Sequence, residues 1–178
     1  MDHDEPEPVP SEKGDVSERA LTFQIGRELA AHYQLLQLAA DLALTGCALF
    51  AAAPFFLALA ERSRAQAGAL MDAALGRGAA VCLPALDRPC RNLATDGGLG
   101  LTLAAALEAA VQLLDAADRR GFAAAVARDP ELRRAAEDAL LDHARVRSRL
   151  VRHLAVAEAL REDPGACVAY AAQLATGC

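Results

Sequence analysis

From Phe55 to Gly78 the chain reads FFLALAERSRAQAGALMDAALGRG, and this stretch constrains the fold more than any other. Leu59, Leu70, Ala74 and Leu75 fall on one side of a helix. Glu61, Arg62, Arg64 and Asp72 are polar insertions among good helix formers. Gly76 and Gly78, with Arg77 between them, supply a C-terminal stop. The rest of the chain is built from the same material. Hydrophobic residues make up 54% of its 178 positions, and Ala dominates them, with few aromatic or β-branched side chains. That composition favours helix over strand, in a chain long enough for one domain with a sizeable core.

Residues 1–14 are acidic and Pro-rich, with too little apolar surface to order themselves, and predict a disordered tail ahead of a domain over 15–178. Asp15 and Glu18 read as a capping-box variant opening a first helix from about Val16 to Leu44. Its expected apolar stripe is Ile25, Leu29, Leu36, Ala40 and Ala43, with His32 and Tyr33 beside it. Thr45-Gly46 is a turn short enough to demand an antiparallel partner, and the second helix follows to about Leu75, with Pro54 in its first turn. An irregular connection from Gly78 to Gly100 is long enough to cross a bundle from end to end. A third helix is expected from Leu101 to about Ala127, with Leu103, Leu107, Val111 and Leu114 on one face. Asp129-Pro130-Glu131 is a strong helix start, and a fourth helix runs from it to about Arg161. Its inner face is Leu132, Ala136, Leu140, His143, Leu150 and Leu154, with Arg145, Arg149 and Arg152 on a solvated side. Asp163-Pro164-Gly165 turns the chain into a last short helix, Cys167 to Ala175.

Several function classes are disfavoured. A net charge of −6 argues against binding nucleic acid, which needs a basic excess or a basic face. The five cysteines are odd in number and lack C-x-x-C spacing, so reduced thiols in a cytoplasmic protein are expected rather than disulfides or a zinc site. The acidic start is unlike a targeting peptide. Leu35–Ala60 is apolar enough in length to span a membrane, but Thr45-Gly46 and Pro54 interrupt it and no basic cluster flanks its start, so no span is expected. The histidines show no metal-ligand spacing, and Gly97-Gly98-x-Gly100 lacks the strand and the Lys-Ser/Thr of a phosphate loop.

Four long helices with one long crossover between the second and third define a recurrent bundle topology. The ending Leu70-Met71, then Arg77-Gly78, resembles the second helix of eukaryotic ferritin subunits. Gln24-Ile25-x-x-Glu28-Leu29 resembles that family's first helix, and Arg77-Gly78 through Pro89 the start of its crossover. Asp129-Pro130-x-Leu132 and Leu141-Asp142 resemble its fourth helix, and Pro164 through Tyr170 the turn into its short fifth. The resemblance implies an all-α, ferritin-like four-helix bundle with a short fifth helix. It further implies a subunit of a hollow shell of twenty-four chains, alone or with other ferritin subunits, around a ferric iron mineral.

The resemblance also implies where a di-iron oxidation site would lie. The family's first-helix Glu falls on Glu28 and a Tyr one turn further on falls on Leu35. The bridging Glu falls on Arg62, its neighbour on Ser63, the His ligand on Gln66, the third-helix Glu on or near Glu108, and a fourth-helix Gln on Ala144. Glu28 and Glu108 are thus the remnant metal positions, and a cation stands where a bridging carboxylate belongs. A Glu28–Arg62 salt bridge is expected in place of iron oxidation, so the chain is not expected to be an enzyme. The carboxylate cluster on which mineral nucleates is essentially gone, reading Ala58, Glu61, Arg62, Ala65 and Gly68. The two channel-lining acids fall on Arg134 and Glu137, a pair that would attract cations weakly. The alternative function is a ferritin-derived structural or interaction protein that no longer handles iron.

Overall fold

The computed structural model describes residues 12–44, 48–79, 81, 83, 85, 102–117 and 119–176. These form α1 (Glu12–Leu44), a 3₁₀ turn (Ala48–Ala52), α2 (Ala53–Gly76), α3 (Leu103–Ala116), α4 (Arg119–Ala125), α5 (Pro130–Ala159) and α6 (Pro164–Thr176), with no strand among the described residues. The all-helical architecture expected from composition is what the described residues adopt.

Two apolar clusters give the direction of each helix. One joins Leu35–Leu42 of α1, Ala53–Ala60 of α2, Leu103–Leu114 of α3, Val146–Ala157 of α5 and Ala171 and Leu174 of α6. The other, at the far end, joins Leu21 and Ile25 of α1, Leu70 and Ala74 of α2, Phe122 and Val126, and Leu132 and Ala136 of α5. Helix α1 therefore runs from the second cluster to the first, and α2 returns antiparallel to it. The α3–α4 segment again runs from first to second, and α5 returns. Helices α2 and α3 point the same way, so the end of α2 and the start of α3 lie at opposite ends of the bundle. Most of the connection between Gly76 and Leu103 lies outside the described residues, as do the expected Thr45-Gly46 turn and the tail over residues 1–11.

Local chemistry explains the helix ends. Gly78 adopts φ +69°, and its N–H donates to Leu75 O at 3.0 Å while Ala79 N–H donates to Ala74 O at 3.1 Å. This left-handed closure satisfies carbonyls of the last turn and needs a residue without Cβ. Asp129 caps α5, its Oδ1 accepting from Glu131 N–H at 3.2 Å and Leu132 N–H at 3.3 Å, with Pro130 in the first turn. Arg77, the last residue of the α2 end, reaches Asp129 Oδ2 at 2.7 Å and ties the two helix ends together.

The structure corrects several boundaries. Helix α1 begins at Glu12, upstream of Asp15, so Asp15 lies within the helix rather than at its cap, and three residues of the expected tail are helical. Asp163-Pro164 opens α6 rather than preceding it, Asp163 Oδ1 accepting from Ala166 N–H at 2.9 Å, by the same Asp-Pro logic as α5. The α1 stripe is rotated: Leu21, Gln24, Ile25, Glu28, His32, Leu35, Leu38, Ala39 and Leu42 are buried, whereas Ala40 and Ala43 are exposed. Searching for apolar residues alone missed a buried face that includes Gln24 and Glu28. No helix among the described residues is long and apolar enough to cross a membrane.

The largest departure is in the third helix, expected to be continuous to Ala127. Thr102 caps it, its side chain accepting from Ala105 N–H at 3.1 Å, but α3 stops at Ala116 and α4 restarts at Arg119. In an unbroken helix Arg119 would lie about 140° from Leu114 around the axis and point away from the core. The break resets the phase, so that Arg119 and Phe122, one turn apart, both face inward.

Candidate functional site

The centre of the bundle is organised around Arg119, which is 4% exposed. Its Nη2–H donates to Glu28 Oε2 at 2.5 Å and to Gln66 Oε1 at 2.9 Å. Its Nη1–H donates to His143 Nδ1 at 2.8 Å and to Leu114 O at 3.4 Å, and Nε–H donates to Gln66 Oε1 at 3.2 Å. Four helical segments thus converge on one guanidinium. The helix break that turned Arg119 inward also leaves the Leu114 carbonyl at the end of α3 for it to bind.

The network extends in both directions. Gln24 Nε2–H donates to Glu28 Oε1 at 2.9 Å, one helical turn back on α1. Gln66 Nε2–H donates to Asp142 Oδ2 at 3.0 Å, and Arg62 closes a bidentate pair with both Asp142 oxygens. Because Arg119 can only donate, His143 Nδ1 accepts and the ring carries its proton on Nε2, which lies 3.7 Å from Asp115 Oδ1. Asp115 in turn holds Arg147 at 2.8 Å. No buried side-chain nitrogen or oxygen among the described residues lacks a hydrogen-bond partner.

Burial pushes the Glu28 carboxyl upward from its ordinary value, while the Arg119 charge and the hydrogen bonds from Gln24 and Arg119 pull it back. Burial and then the Arg119 charge hold His143 below its usual value, so its neutral form is favoured. Arg62 is lowered by partial burial and by the charges of Arg119, Arg145 and Arg149. Burial is the first cause of all three shifts; the Arg119 charge adds to it at His143 and Arg62 and opposes it at Glu28.

The structure places the residues of the expected site as follows. Glu28 is buried and points into the centre, but its partner is Arg119, not Arg62. The expected Glu28–Arg62 salt bridge is therefore replaced by Arg119–Glu28 and Arg62–Asp142, because Arg62 projects to the α2–α5 surface while the α3–α4 break delivers Arg119 inside. Gln66 is brought to the centre, where it links Arg119 to Asp142. Leu35 is fully buried in the apolar core and Ser63 is 2% exposed. Glu108 is exposed on α3, accepting from Gln112 Nε2 at 3.4 Å, and is not brought to Glu28. Ala144, Arg134 and Glu137 are exposed on α5, and Glu137 sits 3.7 Å from Arg133. Glu61 is exposed and paired with Arg64.

The donor set does not fit a di-iron centre. Such a centre needs several carboxylate oxygens and an imidazole directed at the same metals. Here the buried Glu28 carboxylate is already bonded to the Arg119 guanidinium, Asp142 is paired with Arg62, and His143 presents its lone pair to Arg119. Among the described residues no three His, Cys, Asp or Glu side chains are grouped to hold a metal ion. Of the cysteines only Cys167 lies among the described residues; it is a free, half-buried thiol with Sγ 3.5 Å from Leu160 O. His32 is structural, its Nδ1–H donating to Ala60 O at 2.9 Å between α1 and α2.

Sequence reasoning missed Arg119 and Asp142 as members of the centre. Arg119 follows Ala116-Ala117-Asp118 with no Gly or Pro to announce a break. Phe122, eight positions after Leu114, would share its face in a continuous helix, so the apolar pattern does not announce the break either. Comparison of the chain with family models and with curated proteins gives no match.

Proposed function

We propose that this chain is a non-catalytic, ferritin-like subunit, contributing to an iron-storage shell without oxidising iron itself. The observation that carries the proposal is the Arg119–Glu28 pair at the bundle centre, where a fixed cation takes the place a metal would need. Support for the ferritin-like part is topological. Helices α2 and α3 run parallel, with the end of α2 and the start of α3 at opposite ends of the bundle, and α6 packs its Ala171 and Leu174 into the end of the core that holds Phe55.

A buried ion pair with complete hydrogen bonding holds four segments in one register and has no open position for chemistry. That suits a subunit whose contribution is its shape. A second reading, a structural or interaction protein that no longer handles iron, is favoured by the exposed Arg134 at a position where the resemblance implies a channel acid.

Light scattering on the full chain, alone and mixed with an active ferritin chain, tests assembly, and aerobic addition of ferrous salt tests chemistry. The proposal expects a large hollow particle in at least one mixture, and ferrous oxidation by the chain alone no faster than with an inert protein. Monomer or dimer under both conditions contradicts the shell. Rapid oxidation abolished by Glu28→Ala contradicts the non-catalytic centre. A particle that assembles yet takes up no iron beside the active chain selects the second reading.

A further inference from the structure

A cleft of about 740 Å³ that Arg119 helps to line, and Glu28 does not, is walled by the end of α3, by α4 and by the middle of α5. Its charge is one-sided. Arg119 and Arg120 line it from α4 and Arg147 and Arg152 from α5, against the single carboxylate of Asp115. Glu28 neutralises Arg119, and Asp115 is bound by Arg147 through two contacts at 2.8 and 3.1 Å. That leaves Arg120 and Arg152 without a carboxylate partner among the described residues; Arg152 Nε–H is directed at the Ser148 carbonyl at 3.3 Å. The chain as a whole carries −6, so this concentration of guanidinium groups does not follow from a general cationic surplus. The ring of His143 opens on the same cleft, and its depressed proton affinity reports burial together with the charges of Arg119, Arg147 and Arg120, opposed by Asp115.

We propose that the cleft between α4 and α5 binds a small phosphate-bearing anion through Arg120, Arg147 and Arg152, with the Ser148 hydroxyl as an additional donor. Three guanidinium groups and a hydroxyl, carried on two helices, suit a group with several anionic oxygens better than a carboxylate with two. Leu140, Ala144 and Val151 give the cleft an apolar wall, and its volume is that of a small-molecule site. Binding places negative charge beside His143 and so raises its proton affinity. The inference is independent of the shell reading, since it uses no contact between subunits.

The test is calorimetric titration of the full chain with pyrophosphate, inorganic phosphate and citrate, together with NMR titration of the His143 ring. One pyrophosphate is expected per chain, bound more tightly than phosphate or citrate, with the His143 titration moving upward when it binds. Arg120→Ala with Arg152→Ala should weaken pyrophosphate at least tenfold and abolish the His143 shift. Both residues are exposed, so helical content should be unchanged. Arg133→Ala with Arg134→Ala, which removes the same charge elsewhere on α5, should change affinity less than twofold. Absence of pyrophosphate binding at millimolar concentration overturns the proposal. So does binding untouched by the cleft variant, or weakened equally by the control. Citrate bound as tightly as pyrophosphate would overturn the assignment to phosphate.

Discussion

Glu28 of α1 and Arg119 of α4 meet at 2.5 Å across 91 positions of sequence, both almost fully buried. Everything polar in the bundle centre is arranged about that contact. Gln24 orients the carboxylate, while Gln66, His143 and the Leu114 carbonyl take up the remaining guanidinium donors. Isolated, either charge would be costly in an apolar core; together, with their hydrogen bonds complete, they specify how four segments fit.

His143 makes stability fall in mild acid. Its proton affinity is lower in the fold than in the unfolded chain, first because of burial and then because of Arg119, Arg147 and Arg120, with Asp115 opposing. A depressed imidazole contributes stability that is complete above its ordinary value of 6.5 and lost as pH falls from there toward the folded value. Protonation also removes the Nδ1 lone pair that accepts from Arg119. His153 shifts in the same direction, through burial and then Arg149 and Arg152. Urea midpoints should therefore drop between pH 7.5 and 5.5, and His143→Gln should flatten that slope. An unchanged slope in the variant would show that His143 is not the group responsible.

The Arg77–Asp129 contact joins the end of α2 to the cap of α5. Removing an N-cap side chain costs about 1 kcal/mol, so Asp129→Ala should lower unfolding free energy by about 1–2 kcal/mol, with a smaller loss for Arg77→Ala. The Arg77 hydrogen bond, opposed by burial, holds the Asp129 carboxyl below its ordinary 3.8. That contribution is complete above 3.8 and disappears as pH falls through the folded value. Wild type and Asp129→Ala should thus converge in strong acid, as read by denaturant midpoints at pH 7 and pH 2. Equal separation at both would contradict the assignment.

Two glycines of α2 and its end should respond oppositely to alanine. Gly78 holds φ +69°, so Gly78→Ala should cost about 1–2 kcal/mol. Gly68 lies within the helix, and a Cβ there meets nothing within 4 Å. Gly68→Ala should stabilise by about 0.5–1 kcal/mol. Thermal melts of the two variants on opposite sides of wild type are the expected result.

Much of the architecture was legible because its signals are local. Asp129-Pro130, Gly78 and the Leu spacing of α3 and α5 each act within a turn or two, and the helices stand close to where they are expected. The centre was legible only in part. Glu28 and Gln66 were recognisable as interior positions, but the cation that joins them depends on a helix break whose cause is tertiary. Leu114 and Phe122 are each buried, and one continuous helix cannot bury both while also bringing Arg119 to Glu28. The α1 face was misplaced for a related reason. Gln24 and Glu28 are polar yet buried, and a search for apolar periodicity passes over residues whose burial is made possible by a partner on another helix.

The central claim is that Glu28 and Arg119 act as one unit at the core of the bundle, and a double-mutant cycle by urea unfolding measures it most directly. Breaking a buried pair by removing one partner costs about 3–5 kcal/mol, whereas replacing both with apolar groups leaves no uncompensated charge. Glu28→Leu and Arg119→Met should each destabilise by about that amount, and the double variant by clearly less than their sum. Single variants with small effects, or a double variant equal to the sum, would show that the two residues do not pair in the folded protein and would contradict this account.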